Sequence, residues 1–521
     1  MRLPRPASSW TSFPIHTALL AAFPVLFLFA ENAADQLVLD PMWGPLTLSV
    51  AGALVVLAVA AAITRDLVRG GLLASFVIAL FFSFGHVWLM LADVLPSRVV
   101  LVAAYGLVAL VGIWLIWRGG RWTVPLSQFA NVAALALVLV NVVRIVDFTT
   151  GPATAEADEP ASDVAVPIQG DHPRPDVYFI VFDRYANSET LDEIYDYDNG
   201  PFLRELEERG FVVAEDSWSS YFRTAPSLLS TLSMDYLDGE ILREEDEDPP
   251  TMAPIHRRLQ GHLPVPATFK ALGYEYIHIG SLWNPTQRNV DADLTMNYSS
   301  GSEFGAALAT TTLLSLLQPD EAGEGEDEAP SRPDLSRSHT LFQFERLQQV
   351  IGRPGPTFVF AHLLLPHPPY VFRADGSMTT VEERRSRSRE ALYRDQLRWT
   401  NDRILELVDR ALDVRGEDPV IILQADEGPY PPRFARERGS FDWLGDATPE
   451  EILQKYGILN AMRLPGVDAD AAGVHDRMSP VNTFRIVFNE FFDADLPLLP
   501  DRVYLTPNYD RMYDYTEYDR P

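Results

Sequence analysis

Carboxylates and one hydroxyl stand at places in this chain where they could hold a metal ion or attack an ester. Asp183 ends an apolar run in PDVYFIVFDRY, Thr224 begins TAPS, and the pair Asp426 and Glu427 follows PVIILQA. Carboxylate oxygens are the ligands that hard cations such as Mg²⁺, Mn²⁺ and Ca²⁺ prefer. A threonine hydroxyl becomes a nucleophile once a neighbour or a metal activates it. These residue types predict metal-assisted ester chemistry if the fold brings them together.

The stretch before Asp183 predicts the strand that would position it. Residues 177–182 are β-branched, aromatic and apolar throughout, which is typical of a strand buried on both faces of a parallel sheet. In open α/β sheets, ligands bind outside the carboxyl ends of the strands. Asp183 is therefore placed to hold a metal ion. The alternative is that its carboxylate only caps the following turn.

Thr224 precedes Ala225-Pro226 and an apolar pattern of helical period, so it marks the start of a helix. One interpretation is that its side chain only caps that helix. The other is a nucleophilic hydroxyl at a helix N-terminus, where the positive end of the helix dipole favours an oxyanion and a bound phosphate or sulfate.

Asp426 and Glu427 come directly after a second predicted buried strand, residues 420–423. Two adjacent carboxylates at a strand end suit one divalent cation, Mn²⁺ or Mg²⁺ with Ca²⁺ as a further candidate. The alternative is an exposed acidic turn. The apolar strand that leads into the pair disfavours this alternative.

Three further side chains are candidates for binding the substrate. His367 lies in PHPPY, just past the carboxyl end of a predicted strand at 357–365, which is a good position for a ligand contact. Trp283 and Arg288 follow another predicted strand and could bind a head group or pack a loop. His362 alternates with apolar neighbours inside its strand, and this pattern is more typical of a core histidine.

The first part of the chain predicts five membrane-spanning helices. The apolar stretches run roughly over residues 15–30, 46–63, 72–91, 99–117 and 129–146. Each is close to the ~20 residues that a helix needs to cross a bilayer. Five such stretches in a row, separated by short loops, are not typical of a soluble core.

Arginines predict the orientation of these helices. Positive charges occur before the first span, between the second and third, and between the fourth and fifth: Arg2, Arg5, Arg65, Arg69, Arg118 and Arg121. The alternate loops are acidic. Because cytoplasmic loops are enriched in arginine and lysine, the N-terminus is expected in the cytoplasm and the C-terminal domain outside. The protein is thus predicted to be a multi-pass protein of the cytoplasmic membrane.

Composition divides the chain into residues 1–148, a membrane domain; 149–174, a linker rich in proline, alanine and aspartate; and 175–521, an α/β domain.

The formal net charge of −30 argues against nucleic acid as a partner. The chain has no cysteine, which excludes disulfides, thiolate metal sites and a cysteine nucleophile.

The order Asp183, Thr224, Asp426 resembles that of the alkaline phosphatase and sulfatase superfamily. Within it, the chain is most similar to membrane-bound sulfatase-like proteins related to lipoteichoic acid synthase, and the resemblance covers nearly the whole chain. It implies a five-helix membrane domain followed by an alkaline-phosphatase-like α/β domain with a mostly parallel central sheet. It also implies that Asp183, Thr224, Asp426 and residue 427 hold one metal ion. His367, and Trp283 with Arg288, resemble the family's substrate contacts more loosely.

The chain departs from the family at one position, because the family's Asp-His-Gly reads Asp-Glu-Gly here. Glu427 can still ligate Mn²⁺ or Mg²⁺, but it adds negative charge beside a departing anion. Two functions follow from the resemblance. The first is a hydrolase, or a phosphoglycerol-type transferase, that acts on phosphoesters or sulfoesters of membrane lipids or envelope glycopolymers. The second is a catalytically inactive binding or scaffold domain.

The absence of cysteine helps to decide between a phosphoester and a sulfoester substrate. Without cysteine the chain cannot form the formylglycine of standard sulfatases, so a threonine nucleophile favours phosphoryl transfer. The lipid bilayer is the expected surroundings of the N-terminal helices. A transporter is disfavoured, because the spans hold no paired acidic and basic residues at mid-depth.

Overall fold

The computed structural model describes most of the chain and divides it into two compact units. The described residues are 13–31, 40–91, 98–150, 165–168, 170, 172–237, 251–298, 303–317, 333–415, 418–437, 441–508 and 511–520. One unit holds residues 1–156 with 301–322, and the other holds 157–300 with 323–521. The segment 301–322, which the sequence analysis assigned to the C-terminal domain, thus groups with the N-terminal helices. Residues 151–164, 169 and 171 of the predicted linker lie outside the described residues.

The described residues form helices and strands with the following bounds. The α-helices are α1 (His16–Glu31), α2 (Asp40–Thr64), α3 (Leu67–Leu91), α4 (Arg98–Trp117), α5 (Thr123–Thr150), α6 (Ser188–Glu193), α7 (Gly200–Glu208), α8 (Thr224–Ser233), α9 (Ala253–Leu259), α10 (Pro264–Ala271), α11 (Glu303–Thr311), α12 (Pro333–Val350), α13 (Val381–Ser386), α14 (Arg389–Arg415), α15 (Pro432–Glu437), α16 (Pro449–Tyr456) and α17 (Thr483–Phe492). The strands are β1 (Val177–Phe182), β2 (Phe211–Val213), β3 (Glu275–Ile279), β4 (Leu294–Met296), β5 (Thr357–Leu363), β6 (Val420–Gln424), β7 (Asn460–Arg463), β8 (Val503–Leu505) and β9 (Thr516–Tyr518). Short 3₁₀ helices cover Asn284–Thr286, Leu313–Leu317 and Pro480–Asn482.

All five predicted spans are helical. Among the described residues, four helices are long and apolar enough to cross a membrane, and they contain Met42–Thr64, Leu67–Trp88, Arg98–Trp117 and Thr123–Val146. The apolar part of α1, His16–Ala30, is shorter. The N-terminal unit is therefore a helical domain with four candidate transmembrane helices.

A buried polar network fixes α1 in this unit, where it packs against α2, α3 and α5. The His16 ring lies 2.6 Å from the Ser75 hydroxyl through Nδ1 and 3.1 Å from the Ser127 hydroxyl through Nε2. The His16 backbone N–H donates to Asn131 at 2.9 Å. Hydrogen bonds between helices stabilise packing in surroundings that contain little water. This network explains how the shortest apolar helix is held in the bundle.

The inserted segment after β4 joins the same unit. Its helix α11 packs against α2 and α3. Phe304 meets Phe29 edge to face, with 5.9 Å between ring centroids. The guanidinium of Arg98 donates to the Ser315 carbonyl at 2.8 Å. The insertion is thus tied to the helical unit by both apolar packing and a hydrogen bond.

A seven-stranded sheet forms the centre of the C-terminal unit, in the order β2-β7-β6-β1-β5-β3-β4. β1 pairs in parallel with both β5 and β6, while β7 runs antiparallel to its neighbours. Phe182 is opposite Leu363, and Val181 is opposite Gln424, so these three central strands end together. The predicted α/β domain with a mostly parallel central sheet is confirmed.

Alternate residues of β1 pack into two different apolar cores. Val177, Phe179 and Val181 face the core that also contains α8, and the other residues of the strand face the opposite one. All six positions are buried, which explains why the strand has no polar residue. Helix α8 forms where its leucines predicted a helix and is buried on nearly all sides. The predicted strands before Asp183 and Asp426 are confirmed.

Candidate functional site

The residues predicted to bind a metal ion or attack an ester lie together at the carboxyl ends of the parallel strands. Asp183 follows β1, Thr224 is the first residue of α8, and Glu427 follows β6. One cavity is lined by these three residues together with Trp283 and His367. The parallel pairing of β1 with β5 and β6 brings these strand ends to one edge, as the rule for ligand sites in α/β sheets requires.

A group of three buried side chains beside this cavity could hold a metal ion. Asp183, His362 and Asp426 each offer one ligand atom, and these atoms lie within 4.8 Å of one another. His362 belongs to β5, where it is opposite Val181 of the neighbouring strand. The sequence pattern predicts a core histidine at position 362. His362 is indeed buried, but its ring also lies close enough to the carboxylates of Asp183 and Asp426 for one metal ion to contact all three side chains.

Apart from the Thr224 hydroxyl beside Asp426, four buried atoms of these three side chains have no hydrogen-bond partner within the described part of the chain: Asp183 Oδ1, Asp426 Oδ1 and Oδ2 and His362 Nε2. Buried polar atoms are nearly always satisfied in folded proteins, so such a concentration requires a physical reason. Acceptor atoms that face one another also repel. A divalent cation among them would satisfy these atoms at once, so the residues present fit a metal ion.

The electrostatics of the cluster favour the binding of a cation. Burial raises the pKa of Asp183 well above its usual range, and the neighbouring Asp426 raises it further. Burial, then the charge of Glu427, raises the pKa of Asp426 to about 7. Burial lowers the pKa of His362 to about 3, so its ring is neutral at neutral pH. Neutral imidazole and carboxylate are the forms that bind metals.

Glu427 is buried and ion-paired, so the alternative of an exposed acidic turn is wrong. Its Oε1 lies 2.8 Å from Lys455 Nζ and accepts a hydrogen bond from Arg184 Nε at 3.3 Å. The ring of Tyr430 contacts both cations, with Arg184 Cζ 4.1 Å and Lys455 Nζ 3.6 Å from its centroid. Burial lowers the pKa of Lys455 to about 8. The buried carboxylate of Glu427 therefore comes with its own compensating charges.

Helix α16 positions Lys455 for this role. The helix starts with a capping box in which Thr448 and Glu451 bond each other's backbone N–H. At its end, Lys455 Nζ donates to the Gly428 carbonyl at 3.1 Å. A Cβ at position 428 would lie 2.2 Å from the Gln454 carbonyl oxygen. Only glycine therefore allows the loop after Glu427 to approach α16 so closely.

Thr224 begins a ten-residue helix, and the N-cap position belongs to Arg223, whose side chain makes no capping hydrogen bond. Thr224 is half-buried and lines the cavity, whereas its neighbours Arg223 and Ala225 are buried. Its hydroxyl lies beside Asp426 and lowers the pKa of that carboxyl, against the larger effect of burial. A hydroxyl at a helix N-terminus next to a carboxylate is suitably placed for nucleophilic attack.

Of the three residues predicted to bind the substrate, two lie at the cavity. His367 and Trp283 line the cavity. Burial, then the positive charge of Arg184, lowers the pKa of His367 well below its usual value, so the ring can accept a hydrogen bond at neutral pH. Arg288 is not among the described residues that line this cavity, so its role as a substrate contact stays a prediction.

Two arginines in the cavity wall were not singled out from the sequence. Arg184 and Arg223 are only 4% and 6% exposed, and both line the cavity beside Thr224. Each is adjacent in sequence to a predicted site residue. That adjacency was the only signal for them, since arginine supplies nearly all positive charge in this chain.

The sequence matches no known family profile and no curated protein. Solved structures with a similar fold include the C-terminal periplasmic domain of EptC from Escherichia coli in complex with Zn, at 12% identity and a TM-score of 0.40, covering 67% of this chain and 94% of that one. They also include the phosphonate monoester hydrolase of Agrobacterium radiobacter, at 12% identity and a TM-score of 0.37, covering 64% of this chain and 80% of that one.

A third similar structure is BT1596, a 2-O GAG sulfatase, at 13% identity and a TM-score of 0.39, covering 62% of this chain and 72% of that one. All three likenesses concern the fold of the α/β domain. At these low identities and TM-scores they assign neither substrate nor activity. The function proposed below therefore rests on this chain's own residues.

Proposed function

We propose that this chain is a membrane-anchored, metal-dependent phosphoester hydrolase or transferase with Thr224 as its nucleophile. The observation that carries this proposal is the buried cluster of unsatisfied ligand atoms on Asp183, His362 and Asp426, directly beside the Thr224 hydroxyl. A metal ion there would activate the hydroxyl and polarise the ester. The imidazole among the ligands favours Mn²⁺ or Zn²⁺ over Mg²⁺ and Ca²⁺.

The residues around Thr224 divide the chemical work. A metal ion would lower the pKa of the Thr224 hydroxyl, so its proton would pass to solvent, and the Thr224 oxygen beside Asp426 would form the new bond to phosphorus. The bond from phosphorus to the substrate's alcohol oxygen breaks, and the alcohol leaves with a proton from solvent. Water or a second alcohol then displaces the phosphoryl group from Thr224. Arg223 and Arg184, both in the cavity wall, are placed to bind the non-bridging oxygens.

The charge balance favours a phosphate over a sulfate ester. The carboxylates Asp183, Asp426 and Glu427 are matched by the cations Arg184, Arg223 and Lys455. A divalent ion would make the site net positive, which favours the more highly charged phosphate group. The chain also lacks the cysteine from which standard sulfatases form their nucleophile.

The charges between the helices support a location of the α/β domain outside the cytoplasm. Arg65 and Arg69 lie between α2 and α3, and Arg118 and Arg121 lie between α4 and α5. By the positive-inside rule, both connections are cytoplasmic, so α5 leads outward whether or not α1 crosses the bilayer. The substrate is then an envelope molecule, either a membrane lipid or a glycopolymer.

A second candidate function is a scaffold that retains the fold without catalysis. It is favoured by Glu427, because a carboxylate in place of the family's histidine removes a ligand that the resemblance implies. The compensation of Glu427 by Lys455 and Arg184 shows how such a carboxylate is accommodated. The two functions differ in whether the purified chain turns over an ester.

Full-length protein in detergent should hydrolyse 4-nitrophenyl phosphate or bis(4-nitrophenyl) phosphate in the presence of Mn²⁺ or Zn²⁺. Removal of the metal with EDTA is expected to abolish this activity, and re-addition to restore it, because the acidic cluster cannot otherwise bind and activate an anion. 4-Nitrophenyl sulfate serves as the matched control and should react much more slowly. Metal-loaded, folded protein that hydrolyses none of these esters would favour the scaffold.

A further inference from the structure

We infer that His362, and not Glu427, completes the protein ligands of the metal centre, so that the histidine ligand has moved from the end of β6 to β5, on the other side of β1. This inference rests on the proposed metal-dependent function and deepens it. In the family that the sequence resembles, the histidine of Asp-His-Gly follows the late aspartate. Here position 427 holds a carboxylate with two cationic partners.

The position of His362 is the first support. Its ring is fully buried, and Nε2 lies 3.9 Å from Asp426 Oδ2. That distance is too long for a hydrogen bond, so a proton on Asp426 would not satisfy the ring nitrogen. The ring nitrogen has no other hydrogen-bond partner in the described ranges, and beside the Asp426 carboxyl lies only the Thr224 hydroxyl. An ion in contact with both atoms would satisfy them without moving either strand.

A chain of short contacts holds the other ring nitrogen of His362. The Ser281 hydroxyl lies 3.0 Å from the Trp283 carbonyl and 2.8 Å from the Thr286 hydroxyl, which lies 2.9 Å from His362 Nδ1. Each hydroxyl has one hydrogen, so two directions satisfy these contacts. In the direction that a metal centre would select, Ser281 donates to the Trp283 carbonyl, Thr286 donates to Ser281, and Thr286 Oγ1 accepts from His362 Nδ1–H.

With the proton on Nδ1, the lone pair of His362 Nε2 points away from this chain of hydrogen bonds, on the side of Asp426. Metal-binding histidines are oriented in this way, with the second ring nitrogen donating to a fixed partner. Thr286 and Ser281 are therefore positioning residues, because they can accept the Nδ1–H proton in the tautomer that a metal requires.

Glu427 is occupied by a different task. Coordination through Oε1 would separate it from Lys455 and Arg184, and two buried cations would lose their anionic partner. Its second oxygen, Oε2, belongs to a carboxylate that two cations already neutralise, which weakens its attraction for a metal ion. Glu427 is therefore assigned to anchoring Arg184 and Lys455 in the wall of the site.

The test measures Mn²⁺ binding to the full-length chain in detergent, by calorimetry and by the electron spin-echo signal of a directly bound histidine nitrogen. His362→Gln should weaken binding at least ~100-fold and remove the nitrogen signal, and Thr286→Val should weaken it by about 10-fold. Glu427→Gln combined with Lys455→Met, which avoids leaving an unpaired charge on either residue, should change the affinity less than about 10-fold and keep the nitrogen signal.

The outcomes separate this inference from the function on which it rests. If wild-type protein binds no Mn²⁺, the metal-dependent function itself fails. If it binds Mn²⁺ without a nitrogen signal, or if affinity disappears in the Glu427 and Lys455 double variant and persists in His362→Gln, then only the assignment of His362 is overturned. His367→Gln controls for the other histidine near the site and should retain the signal.

Discussion

Replacing Thr224 by alanine should lower turnover of a phosphate ester by at least about 10³-fold. The substitution removes the oxygen that forms the bond to phosphorus, and no other described serine or threonine lines the cavity. Mn²⁺ binding should largely persist, because Asp183, His362 and Asp426 are unchanged. Steady-state kinetics of the purified variant, together with a metal titration, check both parts.

Thr224→Ser is the matched control for this prediction. Serine keeps a hydroxyl at the first position of α8, so it should keep measurable turnover and normal metal binding. Wild-type turnover in folded Thr224→Ala would refute the assignment of the nucleophile. Loss of metal binding in that variant would instead make the hydroxyl a principal ligand.

Replacing Lys455 by methionine should reduce the free energy of unfolding of the α/β unit by about 3–5 kcal/mol. The lysine side chain is fully buried and neutralises Glu427 at 2.8 Å. Its removal leaves Glu427 with Arg184 alone in a site that already holds two other carboxylates. Urea unfolding in detergent, followed by tryptophan fluorescence, measures the loss.

The chain's only other lysine provides the control. Lys270 is 34% exposed and pairs with the exposed Asp293 at 2.9 Å, so Lys270→Met should cost at most about 1 kcal/mol. Adding Glu427→Gln to Lys455→Met should recover much of the loss, because it removes the uncompensated charge. Equal effects of the two lysine substitutions would contradict the charge-compensation role of Lys455.

The same network predicts that introducing the Asp-His-Gly motif of the family that the sequence resembles will not help. Glu427→His alone would place an imidazole against Lys455 and Arg184, and both cations would lose the carboxylate of Glu427. An inactive Glu427→His variant would therefore not show that the fold is a scaffold. The histidine has to be introduced together with Lys455→Met before it can be compared with wild type.

Local sequence patterns were sufficient for the parts of the site that follow an element directly. The apolar run before Asp183 and the strand before Asp426 each place a carboxylate at a strand end, and Pro226 with its leucines marks the start of α8. All three elements are confirmed. Residue type and period carry this information because each side chain is positioned by its own strand or helix.

The sequence could not supply contacts that depend on strand order. His362 alternates with apolar residues, as a core histidine does, and becomes a candidate ligand only because β5 lies next to β1. Lys455 approaches Glu427 from α16, which is separated from β6 by α15 and its flanking loops. Thr286, whose hydroxyl lies 2.9 Å from His362 Nδ1, belongs to yet another segment. These contacts join separate parts of the chain, so no local pattern contains them.

The most direct test of the proposed function is a calorimetric titration of Mn²⁺ into metal-stripped, full-length protein at pH 8 and at pH 6. We expect one site that binds more weakly at pH 6. Burial raises the pKa of Asp426 to about 7, so at pH 6 the metal must displace a proton that is mostly absent at pH 8. Asp426→Ala should abolish binding at both values. Folded wild-type protein that binds no Mn²⁺ at millimolar concentration would contradict a metal centre and leave the scaffold as the function.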